Sequence, residues 1–209
     1  MYNLLILGAG GFGRDIYFLA KEALGYNTEY SIKGFLDDNL ESLNGYEGMP
    51  PIIGTISDYE PQKDDLFVCA LGDVATKKRC VETVLRKGGK FTTLIHPTAS
   101  IAPDSKIGNG CVIMHRATIG SDAVIGDFAL VQVASIVAHD CRVGNFSRLD
   151  CFTVMVGGTI IKEEVTVHTS AVINHHVIVG KKAQVGACSL VIRNVKDGIT
   201  VFGIPARPI

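Results

Sequence analysis

Two fold classes follow one another in this 209-residue chain: an α/β, Rossmann-like half-domain over residues 1–94, then an all-β parallel β-helix over residues 95–196. Residues 197–209 are left as a C-terminal tail. Three observations predict this. The chain opens on a strand, a glycine-rich turn and an amphipathic helix; the alternation of strands and helices stops near residue 94; and from Ile95 an aliphatic residue recurs at every sixth position without a break.

The opening run NLLILGAGGFGRDIYFLAKEAL supplies the first strand and helix, with Gly8, Gly10 and Gly13 matching G-x-G-x-x-G at the turn between them. A second strand, YSIKGFL, runs into Asp37 and Asp38. A third, LFVCALG, ends at Gly72 and leads into a helix expected over 74–87, followed by a short strand over 91–95. This is room for one mononucleotide unit, not for the two that grip a dinucleotide, so the glycines do not imply NAD. They either close a strand-to-helix turn and nothing more, or they belong to a ligand site. Asp37 and Asp38 favour the second reading, because they fall at the carboxyl end of a strand, where such sheets hold ligands.

The six-residue series runs from Ile95 through Val131, Leu149 and Met155 to Val191, seventeen members in succession. Four residues after each member stands a small or β-branched residue, from Ala99 to Val195, and the residue directly after is often glycine, as at Gly108, Gly120, Gly126 and Gly144. A period of six fits neither a helix nor a plain strand, and calls for short strands joined by tight turns. The aliphatic residues fill the inside, the small residues leave them room, and glycine is expected to supply the turns. Three hexapeptides per coil give about five coils stacked roughly 4.7 Å apart.

Composition narrows the function. Twenty Lys+Arg against 21 Asp+Glu, with no basic block, argues against a nucleic-acid or anionic-membrane partner. No run of about 18 apolar residues occurs, and Met1 leads straight into a strand without a signal-peptide pattern, so a cytoplasmic protein with a small-molecule partner is expected. The six cysteines form no C-x-x-C pair and read as reduced, small core residues.

IGNGCV, IGSDAV and IGDFAL resemble the repeats of the hexapeptide acyltransferases, a resemblance that implies a left-handed β-helix. The whole order LLILGAGGFGRDIY, GFLDD, ALGD, hexapeptides, GIPARPI is similar to the branch that holds the sialic acid O-acetyltransferases and the UDP-4-amino-sugar N-acetyltransferases of bacterial glycan pathways. The resemblance implies an acetyltransferase that takes acetyl-CoA as co-substrate and a nucleotide-activated sugar as acceptor, with no metal. It also implies a homotrimer that pairs flat β-helix faces and creates the donor groove; Val133, Phe152 and Val154 are apolar residues at outward positions.

The same resemblance assigns residues. The catalytic base of these relatives lies in a His-Asp or His-Glu pair followed by C-x-I/V-G, and His139-Asp140-Cys141-Arg142-Val143-Gly144 fits, making His139 the general base and Asp140 its orienting partner. An imidazole with a pKa of about 6.5 suits proton removal at neutral pH. Strand alternation points neighbours to opposite faces, so the pair can meet only at a coil corner; otherwise Asp140 is a turn residue. Gly157 and Ala187 match donor contacts, and Arg148 replaces a second histidine close to the thioester carbonyl, where a guanidinium could donate to the developing oxyanion. Gly8, Gly10, Gly11, Phe12, Gly13, Asp37, Asp38 and Gly72 match the sugar-nucleotide side, with Phe12 where relatives carry a histidine. His139 and His175 are 36 residues, or two coils, apart, too far to share one proton acceptor, and nothing nearby completes a tight three-ligand metal site. His115 and His168 read as surface positions on a repeat face. Because Phe12 and Arg148 depart from the pattern, a sugar-nucleotide-binding trimer that uses the β-helix only as a scaffold stays open as the alternative.

Overall fold

The computed structural model describes every residue from Met1 to Ile209 and divides into two compact units, Met1–Leu94 and Ile95–Ile209. In the first unit β1 (Tyr2–Leu7), α1 (Gly11–Glu22), β2 (Tyr30–Leu36), β3 (Asp65–Cys69) and α2 (Val74–Arg86) follow in order. The strands form one parallel sheet in the order β2-β1-β3. Leu4, Leu5, Ile6 and Leu7 of the central strand are all fully buried, which is why this stretch is continuously apolar rather than alternating. α1 turns Ile16, Leu19 and Ala20 inward, and α2 starts at Asp73, whose carboxylate accepts the N–H of Thr76 as an N-cap. The strand expected over 91–95 is shorter: Phe67 exchanges hydrogen bonds with Lys90 and Thr92 around Phe91 as an isolated bridge, and strand geometry resumes only at Leu94–Ile95.

One polar cluster braces this unit. Asp65, buried at the start of β3, accepts from Lys33 Nζ (2.9 Å), the Tyr59 hydroxyl (2.7 Å) and the Gln62 N–H (2.9 Å). Burial works against its charge, but the Gln62 N–H, the Tyr59 hydroxyl and the Lys33 ammonium more than offset that and hold the carboxyl below its usual range.

The second unit is a left-handed parallel β-helix built of two-residue strands up to Val191, in three sheets of eight, six and five strands, the largest of which ends in a short hairpin. Within the repeat, strands stack on those 18 residues before and after: Val137, for example, sits between Ile119 and Met155. The aliphatic series forms the buried core, and the small residues four places on are buried with it. Where these are polar, hydroxyls donate to backbone carbonyls, as for Ser135 to Asp150 (2.7 Å) and Ser147 to Lys162 (2.8 Å), and Ser189 Oγ accepts the Gly203 N–H (3.0 Å).

Four expectations need correction. Glycine supplies few of the turns: at the third place after the aliphatic only Gly110 and Gly158 take positive φ, and elsewhere a non-glycine residue with φ between 54° and 62° does so, as at Arg116, Asp122, Phe128, Ala134 and Asp140 and on to Cys188. The glycines directly after the aliphatics serve another end. A Cβ at Gly120 would lie 2.7 Å from the backbone nitrogen of His139 on the next coil, and one at Gly126 2.8 Å from that of Asn145. Second, the coils number more than five, since the middle sheet alone has six strands. Third, residues 197–209 are no mere tail, because Thr200–Gly203 pairs with Gln184–Val185 and extends the eight-stranded sheet before Ala206–Pro208 folds back on it. Fourth, the cysteines are not all core: Cys151 is half-buried and Cys188, at a positive-φ corner, is exposed. No helix is long and apolar enough to cross a membrane.

Candidate active site

The opening pair of the β-helix site lies at a corner. His139 and Asp140 fall between the strand Ile136–Val137 of the six-stranded sheet and Arg142–Val143 of the five-stranded sheet. Asp140 takes φ 59°, which breaks the strand alternation and swings its carboxylate to the same side as the imidazole. His139 Nδ1 and Asp140 Oδ2 are 2.7 Å apart. The carboxylate therefore holds the Nδ1–H tautomer, and Nε2 is left as the proton acceptor. Both side chains are about two-thirds exposed, at 66% and 65%, so the pair is open to a substrate.

Gly157 occupies the next coil of the same column. It matches a donor contact, and the space its missing side chain leaves is taken by the chain itself: a Cβ there would come 2.5 Å from His139 Cε1 and 2.6 Å from Nε2. Gly157 is buried beneath the ring. What its missing side chain makes possible is the seat of the imidazole. Ala187, the other expected donor contact, is exposed on a different corner.

Arg148 stands elsewhere. It lies in the strand Arg148–Leu149 of the eight-stranded sheet, one face of the coil beyond His139, so a single chain does not set the two side by side. Its Nε donates to Asp150 Oδ1 at 2.5 Å. Asp150, buried, also accepts from Gln132 Nε2 (3.0 Å) and pairs with His168 Nδ1 (3.2 Å). The expectation that His168 is a plain surface residue is thereby corrected. Sequence reading missed Asp150 and Gln132 altogether, although 132, 150 and 168 share one column at 18-residue spacing, which was the signal to follow. His115 is half-buried and packs against His96, ring centroids 4.0 Å apart and planes tilted by 38°.

In the first unit, the loops after β1, β2 and β3 all leave the carboxyl edge of the parallel sheet and bring the glycine turn, Asp37–Asp38 and Gly72 to one edge. The glycines there divide by role. Gly8 has φ +97° and packs against Leu71, and a Cβ at Gly13 would run into the carbonyl of Gly8, so both serve the turn. Around Gly10 nothing lies within 4 Å of an added Cβ, and around Gly11 only Arg14, at 3.8 Å. Gly10 is the N-cap of α1 and provides no side-chain cap, so the first-turn N–H groups beside the half-buried Phe12 face this opening.

Asp37 is spent on structure: Oδ2 accepts the Ala9 N–H (2.6 Å) and Oδ1 the Asn39 N–H (2.8 Å), which locks the glycine turn to the end of β2. Asp38 accepts the Ile56 N–H at 3.1 Å and lines a small cavity of about 180 Å³ with Ser57, Arg79, Cys80 and Thr83. Arg79 was not singled out from sequence; it sits in the middle of α2 with no motif around it. Arg14 stacks on Tyr46 at 3.6 Å and ties the loop after β2 to the first turn of α1.

Comparison with known proteins follows the same division. Residues 3–84 match the family model described as the PglD N-terminal domain, and residues 90–178 that of the GMPPB C-terminal domain. The acetyltransferase domain of PglB from Neisseria gonorrhoeae FA1090 is 31% identical with a TM-score of 0.88, each chain covered to 100%. The same domain solved in complex with acetyl coenzyme A is 32% identical, TM-score 0.86, over 99% of this chain and 98% of that one. PerB from Caulobacter crescentus, solved with CoA and GDP-perosamine, shares the fold (TM-score 0.89, 24% identity, 100% and 98% covered). A curated UDP-N-acetylbacillosamine N-acetyltransferase of Bacillus subtilis (strain 168) is 32% identical over 118 residues, 54% of this chain. That match spans 52% of the curated relative's length.

Proposed function

Because the chain belongs to the hexapeptide-repeat sugar acetyltransferase family, we propose that it moves acetyl from acetyl-CoA to an amino group of a nucleotide-activated sugar. The observation that carries this reading is the His139–Asp140 hydrogen bond of 2.7 Å at an exposed coil corner. The amine nitrogen attacks the thioester carbonyl, the new N–C bond forms, and His139 Nε2 takes the proton the nitrogen sheds. Asp140 stabilises the imidazolium so formed. When the C–S bond breaks, the proton passes to the departing thiolate and CoA leaves as the thiol. No enzyme nucleophile is required. The relatives named as N-acetyltransferases favour nitrogen over oxygen as the acceptor atom.

The β-helix unit carries this chemistry, and the carboxyl edge of the first unit holds the nucleotide sugar through the opening beside Gly10 and Gly11 and through Asp38. We propose a homotrimer as the working form. The outward column Ile136, Val154, Val172 and Leu190 makes an apolar stripe on the six-stranded sheet, and Phe152 beside it is 57% exposed. A closed trimer would cover that stripe and would let a neighbouring protomer supply the Arg148 side of the donor groove, which one chain does not set beside its own His139.

Acetyl-CoA turnover, followed by released thiol against a panel of nucleotide amino-sugars, tests the activity. Thiol release that depends on the sugar supports it; calorimetry showing sugar-nucleotide binding and no response to CoA would support the scaffold alternative instead. The two aspartates separate further. Asp38→Ala should weaken nucleotide-sugar binding, whereas Asp37→Ala should chiefly lower stability, by about 1–3 kcal/mol, because it strands the N–H of the buried Ala9. Light scattering at micromolar concentration tests the trimer; a mass near 22.4 kDa would overturn it.

A further inference from the structure

A second imidazole reaches the seat of His139. His176 lies at a positive-φ corner, φ 55°, in the same column as Asp140, and Gly158 stands between them. A Cβ at Gly158 would collide with His176 Nδ1 and come 2.6 Å from its Cε1, just as one at Gly157 would come 2.6 Å from His139 Nε2. The two rings therefore lean toward the glycine pair from opposite sides, His139 from the coil before and His176 from the coil after. The Cα atoms of consecutive residues are about 3.8 Å apart, so both rings border one small notch although their backbones lie two coils apart. Only glycine at both positions leaves room for them. The Nδ1 edge of His176 faces the notch, and its ring is exposed and has no hydrogen-bond partner within the chain. The outward charged or titratable groups at this corner are His139, Asp140, His175 and His176, with Arg193 on the coil after and Arg142 just past the corner.

We propose that His176 is a second proton acceptor for the amine of the sugar and takes the first of the two protons that the amine must lose. This rests on the acetyl-transfer reading above and deepens it. A primary amine on a sugar is comparable to an α-amino group, with a pKa of about 8, so at neutral pH most of it arrives as an ammonium with no lone pair for attack. One proton must leave before the N–C bond forms and another as it forms. His139 Nε2 takes the second; because that nitrogen lies over Gly157, the amine it serves sits at the glycine pair, beside the Nδ1 edge of His176. The first N–H bond breaks toward His176, whose exposed ring hands the proton to water. The neutral amine then attacks the thioester carbonyl, and its second proton passes through His139 to the departing thiolate. A lone base would have to discharge to water between the two transfers; two imidazoles remove that wait.

The ionisation of the acceptor itself supplies the test. His176→Asn removes the ring and keeps the positive-φ corner, which asparagine adopts readily. In the full-length protein, kcat/KM for the nucleotide amino-sugar is taken as a ratio to wild type, so that titrations common to both cancel. That ratio should show a loss of about tenfold near pH 7 and of no more than about twofold near pH 9.5, where the amine arrives neutral. His139→Ala should show no such recovery. A loss equal at both pH values, or no loss at the lower one, overturns the proposal, because a structural role for the ring does not follow the charge of the acceptor. His176→Phe keeps an aromatic ring at a corner type that Phe128, Phe146 and Phe152 already hold, and should lose as much as the asparagine variant. Full activity in it would mean that the ring only fills space. An arm free of turnover uses nitrogen-15 spectra of histidine-labelled protein without acetyl-CoA. The His176 ring signals should move on addition of a 4-amino-sugar linked to UDP or to GDP, tried in parallel, and stay in place with UDP or GDP alone. If the wild-type protein transfers no acetyl group yet the ring responds in this way, the functional reading fails and the amine contact stands. If acetyl transfer proceeds while the ring stays silent, the reading stands and the proposal falls.

Discussion

The first unit and the β-helix make opposite use of side chains and backbone. In the first, side chains hold the backbone: Asp37 ties down the glycine turn, Asp65 gathers Lys33, Tyr59 and Gln62, and positive φ falls on glycines apart from Asn27. In the β-helix the backbone holds the side chains. Its ladder closes every coil, for instance from the Asp140 N–H to the Ser121 carbonyl at 3.0 Å, and imposes positive φ even on bulky residues at the corners. That conformation costs about 1–2 kcal/mol per residue outside glycine, and the stacked coils offset it. A corner residue then needs no side-chain partner to keep the fold, which leaves its side chain available for chemistry.

If that contrast is right, the largest effect on rate should come with the smallest effect on stability. His139→Ala is expected to lower turnover by about 10² to 10⁴, the usual worth of a general base, with unchanged melting temperature, oligomeric mass and affinities for both ligands. Near wild-type turnover would break the comparison and move the search for the base to His115 or His175.

Gly157→Ala sharpens it. Gly157 has no positive φ, so alanine does not strain the backbone, but its Cβ would stand 2.5 Å from His139 Cε1. The ring is exposed and free to swing outward, which relieves the clash at the expense of the bond to Asp140. Turnover should fall by about 10- to 100-fold with little loss of stability, since the chemistry depends on the placement of the base. A large drop in melting temperature at unchanged specific activity would show that the glycine serves the coil instead.

These cases mark what could be read from sequence. The β-helix was legible because one physical demand, an aliphatic residue facing inward at each turn, repeats seventeen times. The pairing of His139 with Asp140 was legible as a condition: it required a corner, and the corner is there. The purpose of the glycines was not, because a glycine at a tight turn and one beneath a neighbouring coil look alike in one dimension; Gly120 and Gly157 become distinct only once the residue 18 positions away lies over them. Asp150 was hidden for the same reason, its partners Gln132 and His168 being 18 residues off on either side. In the first unit, Asp37 read as a ligand contact because nothing local reveals that the Ala9 N–H, 28 residues earlier, consumes its carboxylate.

The first unit should show the converse pattern, with polar changes registering as stability. The Asp65 carboxyl is held below its usual range, so its folded pKa lies under the unfolded value of about 3.9. The stabilisation it supplies is therefore full above about pH 4 and is lost as pH falls through the folded pKa. Lys33 is raised: burial alone would lower it, but hydrogen bonds to Tyr59 and Asp65 prevail, so its contribution is full below about pH 10 and is lost as pH rises past the folded value. Asp65→Asn should abolish the acid limb and cost about 1–3 kcal/mol. The chain has no tryptophan and all six tyrosines lie within residues 2–59, so tyrosine emission during urea unfolding reports on this unit alone. An acid limb unchanged in the variant would mean that other carboxylates set it.

Asp140→Asn probes the smallest effect and the most specific one. Asparagine is among the few residues that accept positive φ readily, so the corner conformation at φ 59° is kept and the fold should not respond. The amide oxygen still accepts the Nδ1–H of His139, so the tautomer with Nε2 as acceptor survives; what disappears is the negative charge beside the imidazolium. At a site where both partners are about two-thirds exposed, water screens much of that charge. The expected loss in turnover is about three- to tenfold, well short of what a buried carboxylate contributes. It should appear in kcat with KM for both substrates unchanged, because the charge acts only once the proton has moved. Asp140→Ala removes the acceptor as well and forces alanine to hold the same positive φ, so it should cost more than asparagine in both rate and stability. Equal losses in rate for the two variants would show that the charge alone matters and that the ring needs no orienting partner beyond the bed provided by Gly157.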